Sequence, residues 1–172
     1  KTLEYAWTMS CPVFAGSGNW GGDNQFTQGS PLTVSEYAIS VGASNRFNSP
    51  TIFTNYGKFL DMLAPGDDMP LMSLNNKIEL MGGTSFSTPF MVGVYAMYYV
   101  THPTLSFEER TRAVKNCGSD VTAEQDFVTN YFGSGIVNPL KLFNLDSVEE
   151  PQFKVTSGEY IGDTYYSEEY PL

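Results

Sequence analysis

Short apolar runs alternate along the chain with longer stretches of helical period. Thr2–Ser10 has the spacing of the end of an amphipathic helix. Pro12–Ser17 is a compact apolar run that closes in Gly16-Ser17-Gly18-Asn19, the pattern of a buried strand leading into a loop. Residues 20–35 are polar and glycine-rich and read as loop. Tyr37–Ala43 (YAISVGA) and Phe59–Ala64 (FLDMLA) are two further buried strands, the second stopped by Pro65-Gly66. Lys77–Met81 is a weaker strand candidate.

Gly82-Gly83 then opens a long helix from Ser85 to Thr101. Eleven of the sixteen residues from Ser85 to Val100 are apolar and fall all round it, so this helix is expected to be buried. Pro89 falls near its first turn, where a missing N–H costs least. Ser106–Asn116 is a second helix, with Ser106 as N-cap and Glu109 three residues on, the spacing of a capping box. Asn138–Phe143 is a last short helix. Buried strands with helices between them point to an α/β fold whose sheet is mostly parallel.

Composition narrows the function. The chain has 172 residues, with 9 Lys and Arg against 19 Asp and Glu, a net charge of −10. That balance disfavours nucleic acid and anionic membranes as partners. No apolar run approaches the ~20 residues of a membrane span. Residues 144–172 hold seven acids and one base, Lys154, so they read as an acidic tail distinct from residues 1–143. Phe153, Tyr160, Tyr165, Tyr166 and Tyr170 give that tail aromatic surface that would gain by docking. Cys11 and Cys117 are too few for a disulfide framework. One histidine and two distant cysteines make no zinc site, and no metal ligand is assigned.

The candidate chemistry lies in Gly82-Gly83-Thr84-Ser85-Phe86-Ser87-Thr88-Pro89. A serine where a glycine-rich turn becomes a helix sits beside free N–H groups and the helix's positive end. Those groups favour an oxyanion in acyl transfer. Asn19, after the first buried strand, has a side-chain amide of the kind that stabilises such an oxygen. In isolation Ser85 is an ordinary N-cap and Asn19 an ordinary turn residue.

Together with three other landmarks they resemble the subtilisin-like serine proteases, the subtilases. The strand to the oxyanion asparagine is similar to Val13–Asn19, and the next strand to Ile39–Ala43 with its V-G-A ending. Phe53-Thr54-Asn55-Tyr56-Gly57 and Ala64-Pro65-Gly66 resemble the family's F-S-x-x-G turn and A-P-G strand exit. Gly83, Thr84, Ser85, Pro89 and Gly93 fit its G-T-S-x-x-x-P-x-x-x-G signature, and Gly133–Asn138 its G-x-G-x-x-N element. Phe90 departs from the pattern, which usually has histidine there.

The resemblance implies that Ser85 is the nucleophile and that Asn19 and the Ser85 N–H form an oxyanion hole. It implies that Ala15, Gly16, Ser17 and Gly18, with the loop around Ser30, line the pocket for the residue before the scissile bond. Calcium is left open, with Asp67-Asp68 alone far short of a cage. The family's Asp and His motifs precede everything seen here, and His102, some 17 residues along the helix and so about 25 Å from Ser85, cannot serve as base.

The chain therefore reads as the C-terminal half of a subtilisin-like three-layer αβα catalytic domain. The expected partner is an N-terminal chain of the same precursor carrying Asp and His, with the cut before Lys1, unless Lys1 simply marks where order begins. The expected activity is endopeptidase hydrolysis of polypeptides. A catalytically inert fold used for binding, and an inhibited zymogen, are the alternatives. Extracellular or particle-bound life is favoured over cytosolic.

Overall fold

A computed structural model of the chain describes residues 1–25, 31–119, 121, 131–144, 158–161 and 164–167. The loop around Ser30 and most of the acidic tail, including Phe153 and Tyr170, lie outside the described residues. Helix α1 covers Thr2–Thr8. Strands β1 (Phe14–Gly16), β2 (Ile39–Ser44) and β3 (Met62–Pro65) follow, then a ribbon of β4 (Met69–Met72) and β5 (Ile78–Met81). Helices α2 (Thr84–Thr101) and α3 (Phe107–Lys115) come next. The two-residue strands β6 (Gly118–Ser119) and β7 (Ile136–Val137) and helix α4 (Pro139–Leu142) complete the body. In the tail, β8 (Gly158–Ile161) and β9 (Thr164–Ser167) pair antiparallel.

The main sheet runs β1-β2-β3-β7-β6. The first three pairings are parallel, with Phe14 opposite Ile39, Val41 opposite Met62 and Leu63 opposite Ile136. Only β6 runs against its neighbour. The expected mostly parallel α/β sheet is the one observed.

All six residues of β2 are buried, which explains why its sequence is an unbroken apolar and small-residue run. Alternation sorts the neighbouring side chains. Ile39, Val41, Met62 and Ala64 meet Met91, Val94, Tyr95 and Tyr98 of α2 in one core. Leu63 faces the other way, into a smaller core with Leu60, Phe132 and Ile136. Lys115 of α3 closes an ion pair with Asp61 at 2.8 Å, and Asp61 also accepts from Ser40 N at 2.8 Å, tying α3 to the sheet. Cys117 is buried in the larger core, and Cys11 is exposed; both are free thiols.

The long helix departs from expectation in one respect. Its sequence is apolar all round, yet only one side is covered. Val92, Met97, Tyr99 and Val100 are exposed, Val100 by 74%. A helix of this composition needs cover on both sides, and the described residues supply one. Pro89 also sits further in than its sequence position promised. It is the sixth helical residue, so its missing N–H is the one that would reach the Ser85 carbonyl.

The capping box on α3 forms as spaced. Ser106 Oγ accepts from Glu109 N at 3.2 Å, and Glu109 Oε2 accepts from Ser106 N at 2.8 Å. The bond from the Ser106 backbone, then that from its hydroxyl, holds the Glu109 carboxyl below the usual carboxylate range. A lowered folded value gives stability that is present above the unfolded pKa and is lost as pH falls through the folded one. Ser106→Ala is expected to cost about 1 kcal/mol at neutral pH. Glu109→Gln is expected to remove this group's share of the acid-side slope. Urea midpoints for the three proteins, taken from neutral pH down to about pH 3, check both.

Gly135 of the G-x-G element has φ +91°, and a Cβ there would lie 2.0 Å from the Ser119 carbonyl oxygen. Backbone cannot move aside as a side-chain tip can, and the conformation is itself unfavourable to an L side chain. Gly135→Ala is expected to destabilise the fold by about 3 kcal/mol or more. An unshifted urea midpoint would contradict this.

Candidate active site

The parallel order brings the end of β1 against the start of α2. A Cβ on Gly16 would lie 3.0 Å from Thr84 Oγ1, so strand and helix nearly touch there. The first N–H groups of a helix have no partner within it. Gly83 is the N-cap of α2 and has no side chain to offer. The cap comes from across the fold instead. Asn19 Oδ1 accepts from Thr84 N at 2.9 Å and from Thr84 Oγ1 at 3.0 Å. Thr84 Oγ1 in turn accepts from Gly18 N at 3.3 Å.

These bonds decide which end of the Asn19 amide is oxygen, because a backbone N–H can only donate. The Nδ2 end is thereby turned toward the helix start, 3.4 Å from where a Cβ on Gly83 would be. Phe86 N donates to Gly83 O at 3.0 Å, and Gly83 N to Gly66 O at 2.7 Å. Ser85 N, between them, has no acceptor among the described residues. Ser85 itself is exposed, as is Asn19. Ser87 and Thr88 hydroxyls turn back to the Thr84 carbonyl, at 3.1 and 2.7 Å, and brace the first turn. An anion placed beside Ser85 would meet the Ser85 N–H, the Asn19 Nδ2 and the positive end of an 18-residue helix.

The segment Ala15–Gly18 runs along this site. Ala15 is buried, and so is Ser17, whose hydroxyl bonds inward to Asn55 O at 3.2 Å. Gly16 and Gly18 present backbone only. His102 is the C-cap of α2 and stacks on Tyr98 with ring centroids 4.1 Å apart. It lies at the opposite end of the helix from Ser85, about 25 Å away. Asp67 is half-buried, its carboxylate beside Gly82. Among the described residues no three His, Cys, Asp or Glu side chains gather in one place, so Asp67 and Asp68 have no further acidic ligands for calcium.

Two residues at the site were not assigned roles from the sequence. Thr84 stood only as part of the G-T-S signature, although it is the residue that grips Asn19. Asn55 stood only as part of a turn. It is fully buried and bonds to the loop bearing Asn19. Its sole sequence signal was a carboxamide within the F-S-x-x-G-like turn.

Known proteins resemble this chain in sequence and in fold. The cell wall-associated protease of Bacillus subtilis (strain 168) is 36% identical over 112 residues, covering 65% of this chain and 12% of that protein. Subtilisin Savinase of Lederbergia lenta is 31% identical over 140 residues, 80% of this chain and 48% of the relative. The chain thus spans less than half the length of either. Among solved structures, the prenylagaramide maturation protease PagA superposes with a TM-score of 0.72 at 21% identity, over 83% of this chain and 53% of that one. That likeness speaks for the fold. The sequence profile of the subtilase family matches residues 8–135, a span that runs from before β1 through α2 to the G-x-G element and so contains both Asn19 and Ser85. The chain belongs to the subtilase family.

Proposed function

We propose that this chain carries the nucleophile of a serine endopeptidase and that a separate N-terminal chain of the same precursor supplies the catalytic Asp and His. The observation that carries the reading is the pairing of an exposed Ser85 with an Asn19 amide anchored to the same helix start. Ser85 Oγ attacks the scissile carbonyl, and the partner's histidine takes its proton. The carbonyl oxygen, now negative, is held by Asn19 Nδ2 and Ser85 N. Return of the proton to the leaving amine gives an acyl-enzyme on Ser85, which water then clears.

The polypeptide substrate lies along Ala15–Gly18 and meets the backbone of Gly16 and Gly18, since the Ser17 hydroxyl is engaged inward. The need for a partner is supported by the exposed apolar side of α2 and by β1, whose outer edge is unpaired among the described residues. An extracellular or surface setting is supported by the cell wall-associated relative. No helix among the described residues is long and apolar enough to cross a membrane.

Fluorophosphonate labelling of native material, with the adduct mapped by mass spectrometry, tests the reading. Such a probe reacts fast only with a base-activated serine. A label on Ser85 is expected. No label, with the partner present and the cleft open, would instead mark the chain as an inert subtilase fold.

A further inference from the structure

Asn55 has no exposed surface, and its hydrogen-bonding groups converge on a single loop. Its Nδ2 donates to Ser17 O at 2.9 Å. Its Oδ1 accepts from Trp20 N at 3.0 Å and from Gly22 N at 3.3 Å. Its backbone N donates to Gly18 O at 2.9 Å, and its carbonyl accepts from Ser17 Oγ at 3.2 Å. The contacts fall on residues 17, 18, 20 and 22 and straddle residue 19. The packing is close as well. Gly18 has φ +107°, and a Cβ there would sit 2.4 Å from Asn55 Nδ2.

Few side chains can do this. The arm must be short and must carry one donor and one acceptor. Aspartate keeps the acceptor and loses the donor, leucine loses both, and glutamine is a methylene too long for the space. The grip on Asn19 is therefore double. Thr84 fixes the amide oxygen from the helix side, and Asn55 fixes the backbone on either side of the residue.

We propose that Asn55 is a positioning residue that holds Asn19 Nδ2 where the oxyanion develops. The inference rests on the reading of Ser85 and Asn19 as an acyl-transfer site. A donor misplaced by an ångström loses much of its effect on the transition state while ground-state binding is little changed. The role predicts a loss in kcat that depends on Asn19 being present.

The test is a double-mutant cycle in the assembled peptidase, this chain with the chain that supplies the base. Asn55→Ala is expected to lower kcat about 10- to 100-fold, with KM held within about twofold. In an Asn19→Ala background the same change is expected to alter kcat by less than about twofold. Hydrogen exchange should show the Trp20 and Gly22 amides freed while those of α2 stay protected, which verifies that the variant is folded. Should Asn55→Ala not fold, Asn55→Ser carries the cycle, since it shortens the arm that reaches Ser17, Trp20 and Gly22 while bringing no charge into the buried position. Multiplicative losses in the cycle, a KM that moves as far as kcat, or an unchanged kcat in a folded variant would each overturn the proposal while leaving the peptidase reading intact. A wild type that neither labels nor hydrolyses peptide overturns the peptidase reading, and the role of Asn55 with it.

Discussion

Ser85→Ala is expected to abolish fluorophosphonate labelling and to cut kcat by about a millionfold, the size of loss established for a subtilisin nucleophile rather than derived from this chain. The reason is local. Ser85 is the exposed hydroxyl at the start of α2, whereas Ser87 and Thr88 are turned back onto the Thr84 carbonyl. No neighbour on the first turn can take over the attack. The fold should be indifferent to the change, because Ser85 makes no side-chain bond among the described residues and its carbonyl already lacks a helical partner opposite Pro89. Peptide turnover and the urea midpoint, measured on the same assembled preparation, separate the two effects. A labelled or active Ser85→Ala protein would place the nucleophile elsewhere.

Asn19→Ala is expected to lower kcat about 100- to 1000-fold, the range known for removal of one oxyanion donor and itself established on a subtilisin. The same change should also cost stability, because Thr84 N loses its cap, at about 1 kcal/mol. These two losses come from opposite ends of one amide, and Asn19→Asp pulls them apart. A carboxylate keeps an acceptor for Thr84 N and places negative charge at a helix start, which is favourable. Stability should therefore return to the wild-type level or exceed it. Activity should not return, because the Nδ2 donor is replaced by an oxygen that repels the developing oxyanion. Paired measurements of kcat and urea midpoint on Ala and Asp variants decide the matter. An Asp variant that recovers activity would show that Asn19 acts only as a cap.

What could be read in advance divides along physical lines. Local signals were legible. The Ser106 and Glu109 spacing formed the capping box it announced, and the apolar run around Ile39–Ala43 became β2, buried along its whole length. Ends were less so. Phe59 and Leu60 look like the start of a strand but precede β3, with Leu60 turned into the smaller core instead. The ribbon of β4 and β5 was half seen, because Met69–Met72 carries a proline and has no polar residue to mark a face. Strands of two residues, as in β6 and β7, have no periodicity to detect. Ser85 and Asn19 could be singled out through motif order, while Thr84 and Asn55 could not. Their roles depend on which backbone groups the fold brings opposite them, and no spacing along the chain encodes that.

The bond from Thr84 N to Asn19 joins residues 65 positions apart, through parallel pairings that close only after long intervening segments. Helices form fast and locally, whereas contacts of such separation form slowly. During synthesis or refolding, Ser85 will be presented on its helix before Asn19 is docked beside it. A hydroxyl in that interval has no means of stabilising an acyl-transfer transition state. On the proposed acyl-transfer reading the ordering acts as a chemical delay, in which the serine gains its reactivity only once the sheet has closed and the chain around it is no longer an unfolded target for its own attack.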